Sequence, residues 1–202
     1  MPDANAALQF WACFEKNSKA FLFIHEMDID VKDRLLKELR LKLELYCDGL
    51  GFEICLDNDD APELIITAVG DMMYFDDVTY LVDAAPNIDN WIFVEFIYAK
   101  EEGTPLFYED IELFPEEIWF SASKNKKHPG FIDLCLYVRG IESLRDSEHF
   151  EDAIVLLLLK TLNELVFAGR IGIIDLTELP DDPEEEGLRN LVGLLEYVEL
   201  RE

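Results

Sequence analysis

Hydrophobic positions change their period along the chain, and each change marks an element. Over 5–23, Phe10, Phe14 and the 17/21 positions fall three or four apart with Trp11 beside them, which predicts a helix. Over 30–47 the helix is more plainly amphipathic. Leu35, Leu36, Leu39, Leu43 and Tyr46 form its stripe, and Lys32, Arg34, Lys37, Arg40 and Lys42 cover the outside. Asp30 suits the N-cap, and Gly49 or Gly51 suits the stop. The period then falls to two. Phe52, Ile54 and Leu56 alternate with Glu53, Cys55 and Asp57, as in a half-buried strand.

The remaining elements follow in order. A strand is expected over 64–69, a helix over 74–85 ended by Pro86, and a strand over 91–98. The stretch 99–115 is a connection with a short extended piece at 106–108. Strands over 117–123 and 131–138 come next, then a long helix over 147–167 with Ser147 as its cap. A strand over 170–176, an acidic loop and a helix over 188–197 close the chain.

Strand, strand, helix, strand therefore occurs twice, at 52–98 and 117–176. A hairpin followed by a helical crossover makes the third strand parallel to the second. The expected fold class is α+β. It has a mixed sheet built from two strand-strand-helix-strand units, helices mainly on one face, and two N-terminal helices over 5–47. Residues 1–202 are expected to form one domain. The number of sheets is not readable from the pattern.

Charge changes this picture more than composition does. Half the residues are hydrophobic, enough for a substantial core, yet 44 acids face 17 Lys and Arg for a formal net charge of −27. Such a surface repels nucleic acid and anionic membrane, and attracts a basic protein or another cation. Between Leu43 and Ser123 Lys100 is the single basic residue among 20 acids. The candidate partner-binding surface is acidic: Asp57, Asp59, Asp60, Glu63, Asp71, Asp76, Asp77, Glu101, Glu102, Glu109 and Asp110.

Catalytic signatures are sparse. His25, His128 and His149 have no metal-ligand spacing, and no Gly-rich phosphate loop or nucleophile elbow occurs. Asp57, Asp59, Asp60 and Glu63, like Asp181, Asp182, Glu184, Glu185 and Glu186, cluster oxygen ligands, but Pro62 stands where a calcium loop needs glycine. The strand carboxylates Glu53, Glu95, Asp133 and Asp175 would do acid–base work only if two converged on one face. Cys13, Cys47, Cys55 and Cys135 form no C-x-x-C pair, and the start lacks a basic, apolar leader, which together suggest a cytoplasmic location. No cofactor or metal is expected.

Phe10-Trp11 with Phe14 and Asn17, the run Glu63 to Ala68 with Gly70, and Ala84-Ala85-Pro86 before Trp91 carry a resemblance. They resemble a family of uncharacterised bacterial proteins with the pattern F-W-x-x-F-x-x-N, E-L-I-I-T-A-x-G and A-A-P before tryptophan. The likeness covers 10–98, with Cys13 where an aromatic is expected; it implies a bacterial cytoplasmic protein and carries no catalytic residue over. Asn17, Thr67 and Asp71 are the polar positions of this pattern that could meet at one cleft.

The leading functional expectation is a non-enzymatic interaction protein that binds a basic protein, for example an immunity-type inhibitor of a basic toxin. One alternative is a carboxylate- or metal-dependent enzyme. Another is a homodimeric regulatory or scaffold protein, for which an exposed aromatic patch around Phe107 or Trp119 would speak.

Overall fold

Apolar alternation in the two hairpins and apolar stripes on the helices generate the architecture seen in the computed structural model, which describes residues 3–56 and 61–200. It is α+β, with sheets of mixed strand orientation and two helices at the start. The chain divides between Ile97 and Tyr98 into two units, each with its own apolar core.

In the first unit, α1 (Ala4–Phe21) and α2 (Ile29–Tyr46) precede β1 (Gly51–Cys55), β2 (Glu63–Thr67), α3 (Phe75–Asp83) and β3 (Ile92–Glu95). The sheet order is β1-β2-β3, with β1 antiparallel and β3 parallel to β2, as the crossover argument requires. Leu64 and Ile66 of β2, with Phe52, Ile54 and Phe93 beside them, pack against the apolar stripes of all three helices. Helix α2 starts one residue earlier than its pattern suggests: Asp28, not Asp30, occupies the cap position.

The aromatic motif behind the resemblance is core. Trp11 meets Phe93 with ring centroids 4.7 Å apart, and Phe14 meets Trp91 at 4.8 Å, both edge to face. The Trp11 indole N–H also donates to the Leu81 carbonyl at 2.9 Å, tying α1 to α3. Gly70 takes a positive φ of 81°, which glycine adopts without strain, and Val69 beside it has φ 52°.

The second unit opens with a hairpin, β4 (Leu106–Tyr108) and β5 (Ile111–Leu113). Then come β6 (Trp119–Lys124), β7 (Ile132–Val138), α4 (Ile141–Leu144), α5 (Phe150–Leu162), α6 (Glu164–Arg170), β8 (Ile171–Glu178), β9 (Arg189–Asn190) and α7 (Leu194–Glu199). The sheet order is β8-β7-β6-β9. Again the hairpin β6–β7 is antiparallel and β8 is parallel to β7. Strand β7 alternates strictly, and its buried residues Ile132, Leu134, Leu136 and Val138 face α5 and α7 across the core.

Three local departures from the pattern have visible causes. The long helix expected over 147–167 breaks at Asn163, which has φ 65° and caps α6 by accepting from the Val166 N–H at 2.9 Å. The closing helix begins late because Asn190 bonds the Glu116 carbonyl at 2.7 Å and holds residues 189–190 against β6 as β9. Third, the register of β8 shifts between Ile132 and Leu134 of its partner, leaving a bulge at Gly172 and Ile173. Asp133 accepts from the Ile173 N–H at 2.9 Å and from the Asn125 side chain at 2.7 Å. A Cβ on Gly172 would stand 2.6 Å from the Asp133 carboxylate, so the bulge and the glycine require each other.

Two stability predictions follow from these contacts. Trp11→Phe keeps most of the aromatic packing but strands the Leu81 carbonyl, and should cost about 1–3 kcal/mol in denaturant unfolding. Gly172→Ala should cost about 1–3 kcal/mol by pushing Asp133 off the bulge. With the Asp133→Ala background the Gly172→Ala penalty should largely disappear, and an undiminished penalty would refute the close-approach explanation.

Candidate functional site

Carboxylates dominate the surface, so the question is which of them the fold itself consumes. Asp71 accepts from the Met73 N–H at 2.9 Å and caps the short 3-10 turn Met72–Tyr74. Asp76 and Asp77 lie in the first turn of α3, where negative charge favours the helix dipole. Glu63 is only 7% exposed in the central strand β2, so it offers no accessible charge and does not belong to an acidic surface. Asp57, Asp59 and Asp60 lie outside the described residues.

The other four predicted acids belong to the second unit. Glu101 and Glu102 are exposed in a turn before β4. Glu109 and Asp110 form the two-residue turn of the β4–β5 hairpin. This tight turn holds Glu109 at φ 51°, a left-handed conformation that glycine or asparagine adopts at lower cost. None of Asp71, Asp76, Asp77, Glu101, Glu102, Glu109 and Asp110 forms an ion pair with a described residue.

The turn faces the segment that leads into α5. Asp110 accepts a hydrogen bond from the Ser147 hydroxyl at 2.9 Å. Ser147 also accepts from the His149 N–H at 3.1 Å, which fixes the segment before the helix begins. Glu109, Asp110, Asp146, Ser147, Glu148 and His149 thus line an open bowl of about 650 Å³. His149 Nε2 stands 3.9 Å from the Glu148 carboxylate, and its ring meets Tyr108 edge to face with centroids 6.2 Å apart. Phe107, on the outer side of the same hairpin, is 67% exposed and meets Phe114 edge to face at 6.1 Å. Sequence reasoning found Glu109 and Asp110 and missed their four companions, which stand more than thirty positions further along the chain. Positive charge has its own place in this unit, where Lys124 and Arg170 line a separate depression of about 550 Å³.

The strand carboxylates do not assemble into a pocket. Glu95 accepts from the Thr79 hydroxyl at 3.1 Å on the α3 side of its sheet. Glu53 pairs with Ile65 and so projects to the opposite face. Asp133 and Asp175 share the outer face of the second sheet, but Asp133 is engaged at the bulge. Among the described residues no group of three or more His, Cys, Asp or Glu is arranged to hold a metal ion. In the second acidic cluster, Asp182 accepts from the Glu185 N–H at 3.0 Å and shapes a turn. Asn17 donates to the Cys13 carbonyl in its own helix and Thr67 accepts from the Val69 N–H, so with Asp71 each polar residue of the resemblance serves its own segment.

All four cysteines are free thiols. Burial raises the pKa of Cys13, and burial likewise raises that of Cys47. Both are thereby poor nucleophiles. No helix among the described residues is long and apolar enough to cross a membrane. The chain matches no protein-family profile, no curated protein and no solved structure.

One titration near the first-unit acids can be checked directly. The Tyr46 hydroxyl donates to the Asp77 carbonyl at 2.9 Å, and burial, followed by the Asp77 charge, pushes its pKa well above the usual tyrosine range. The folded chain keeps this proton where the unfolded chain releases it, above about pH 10. The stabilisation is therefore complete below that pH and is lost as the pH rises toward the folded value. Tyr46→Phe should cost about 1 kcal/mol near neutrality. That deficit should shrink as the pH rises above about 10 in urea unfolding, and a constant deficit there would contradict the raised pKa.

Proposed function

We propose that this chain is a non-enzymatic interaction protein that docks a basic protein partner through the acidic bowl of its second unit. The observation that carries the reading is the strained Glu109. A hairpin turn that glycine would form more cheaply instead holds a carboxylate in the left-handed region, at the rim of an open concavity lined by three further acids. The conformational cost, of order 1–3 kcal/mol, serves no packing purpose, because Glu109 is exposed. Concavity and unpaired charge suit a Lys or Arg side chain. Exposed Phe107 on the same hairpin supplies the kind of aromatic anchor that concentrates binding energy at protein interfaces. The surrounding field, −27 overall, accelerates encounter with a cationic surface. An inhibitor that neutralises a basic toxin is one protein of this kind.

A second reading rests on Phe107 alone: the exposed aromatic pair with Phe114 would serve a homodimer. Sedimentation separates the two, since a dimer lost in Phe107→Ala supports this second reading and a monomer of the natural chain removes it.

The test of the main reading uses a synthetic Lys/Arg-rich peptide. Glu109→Lys with Asp110→Lys should slow its association by roughly tenfold at low salt, with little difference at about 1 M salt, where screening acts within about 3 Å. Glu15→Lys with Glu44→Lys makes the same change in net charge at exposed residues that do not line the bowl and should have a clearly smaller effect. Equal effects of the two pairs would reduce the charge to a diffuse field and overturn the site. Glu109→Gly should leave stability unchanged or raised by up to about 1 kcal/mol while weakening binding, the separation expected where strain is held for function.

A further inference from the structure

The outer edge of β8 offers a row of main-chain groups with a single side-chain guard. The order β8-β7-β6-β9 leaves β8 at the end of its sheet. Residues 172–173 bulge, which spoils the N-terminal half for pairing. The half from Ile174 to Glu178 is regular, in register with β7, and contains no proline. Along a strand the main-chain groups of alternate residues point to the same side. The Leu176 carbonyl points away from β7, because it accepts from the Arg145 guanidinium at 3.0 Å. The N–H and C=O of Ile174 and the N–H of Leu176 therefore point outward too, and no described residue bonds them.

Natural edges are blunted by proline, by inward charge, by bulges or by a covering segment. Here α4 packs beside the strand, and the exposed Arg145 is the one described side chain bonded to its outward main-chain groups. The chemistry around it is acidic. Asp175 is exposed on the strand and Asp181, Asp182, Glu184, Glu185 and Glu186 follow it, whereas Glu178 at its end already accepts from the Gly140 and Ile141 N–H groups at 2.8 and 3.0 Å. Arg145 is also the residue before Asp146, which lines the acidic bowl. The edge and the bowl are thus joined by a single peptide bond at the guard.

We propose that the outer edge of β8, from Ile174 to Glu178, is a strand-addition site for an extended basic protein segment, and that Arg145 guards it. The incoming segment pairs its main chain with Ile174 and Leu176, displaces the guanidinium from the Leu176 carbonyl, and sets its Lys or Arg side chains against the flanking acids. This inference rests on the proposed docking of a basic partner and adds the form that partner takes: an extended strand, recognised through its backbone.

The experiment compares two synthetic peptides of identical charge on the full chain. One alternates Lys and Thr; the other is the same peptide N-methylated throughout, which cannot donate main-chain hydrogen bonds. The unmodified peptide should bind more tightly and should slow amide exchange at Ile174 and Leu176. Arg145→Ala should strengthen its binding roughly three- to tenfold, the worth of one exposed carbonyl regained. Arg139→Ala removes the same charge from an exposed residue that makes no hydrogen bond to the edge, and should strengthen binding less. Equal binding of both peptides without exchange protection, or equal effects of the two arginine variants, overturns strand addition and leaves acidic docking standing. Failure of both peptides to bind at low salt overturns both.

Discussion

Self-repulsion is the constraint on which everything else in this molecule depends. A chain with a net charge of −27 gains nothing from its own surface and must be held by what it buries. Each unit answers with an apolar core on one side of its sheet, and each core is anchored on a strand that alternates or is buried throughout. The aromatic cluster of Trp11, Phe14, Trp91 and Phe93 does this in the first unit with little polar help beyond one indole hydrogen bond. In the second, α5 contributes six buried residues to the core over the sheet. Screening by salt should relieve the repulsion without touching these cores.

The fold was legible where a single period ran through a segment. Alternation in β7 and the leucine stripe of α2 are properties of consecutive residues, so they survive without any knowledge of neighbours. The parallel placement of β3 and β8 was equally accessible, because a helical crossover leaves little choice of direction. What stayed hidden was set by side chains acting at a distance. Asn163 breaks a run of excellent helix formers because its side chain caps the next helix. Asn190 turns the start of an apparent helix into an edge strand through a bond to Glu116, 74 positions away. The partner of the extended piece at 106–108 was missed because Ile111–Leu113 alternates over only three residues.

The candidate site divides in the same way. Counting charges identified Glu109 and Asp110, but a count treats all carboxylates alike. The fold assigns them different work: Asp71 caps, Asp77 sits at a helix start, Glu63 is buried, and Asp133 closes a bulge against Gly172. The bowl then depends on the Asp110–Ser147 bond, which brings together residues that no local pattern connects. A glutamate in the second position of a turn normally filled by glycine or asparagine was the one sequence signal available, and it becomes meaningful only once the hairpin register is known.

Strain and a lightly guarded edge are both liabilities that a chain under self-repulsion can least tolerate, and both occur in the second unit, where Arg145 at the edge precedes Asp146 of the bowl. Proline or lysine on β8 would have closed the edge permanently, whereas an arginine hydrogen bond closes it reversibly. The guanidinium is held by one carbonyl and forms no ion pair with a described residue, so under the strand-addition proposal an arriving strand competes with it for that carbonyl while its cations meet the exposed acids. A basic extended segment does both at once, which a helical basic segment or a small cation does not. Under the strand-addition proposal the edge would select for backbone shape and charge together, and the field of the remaining acids would raise the local concentration of whatever satisfies both.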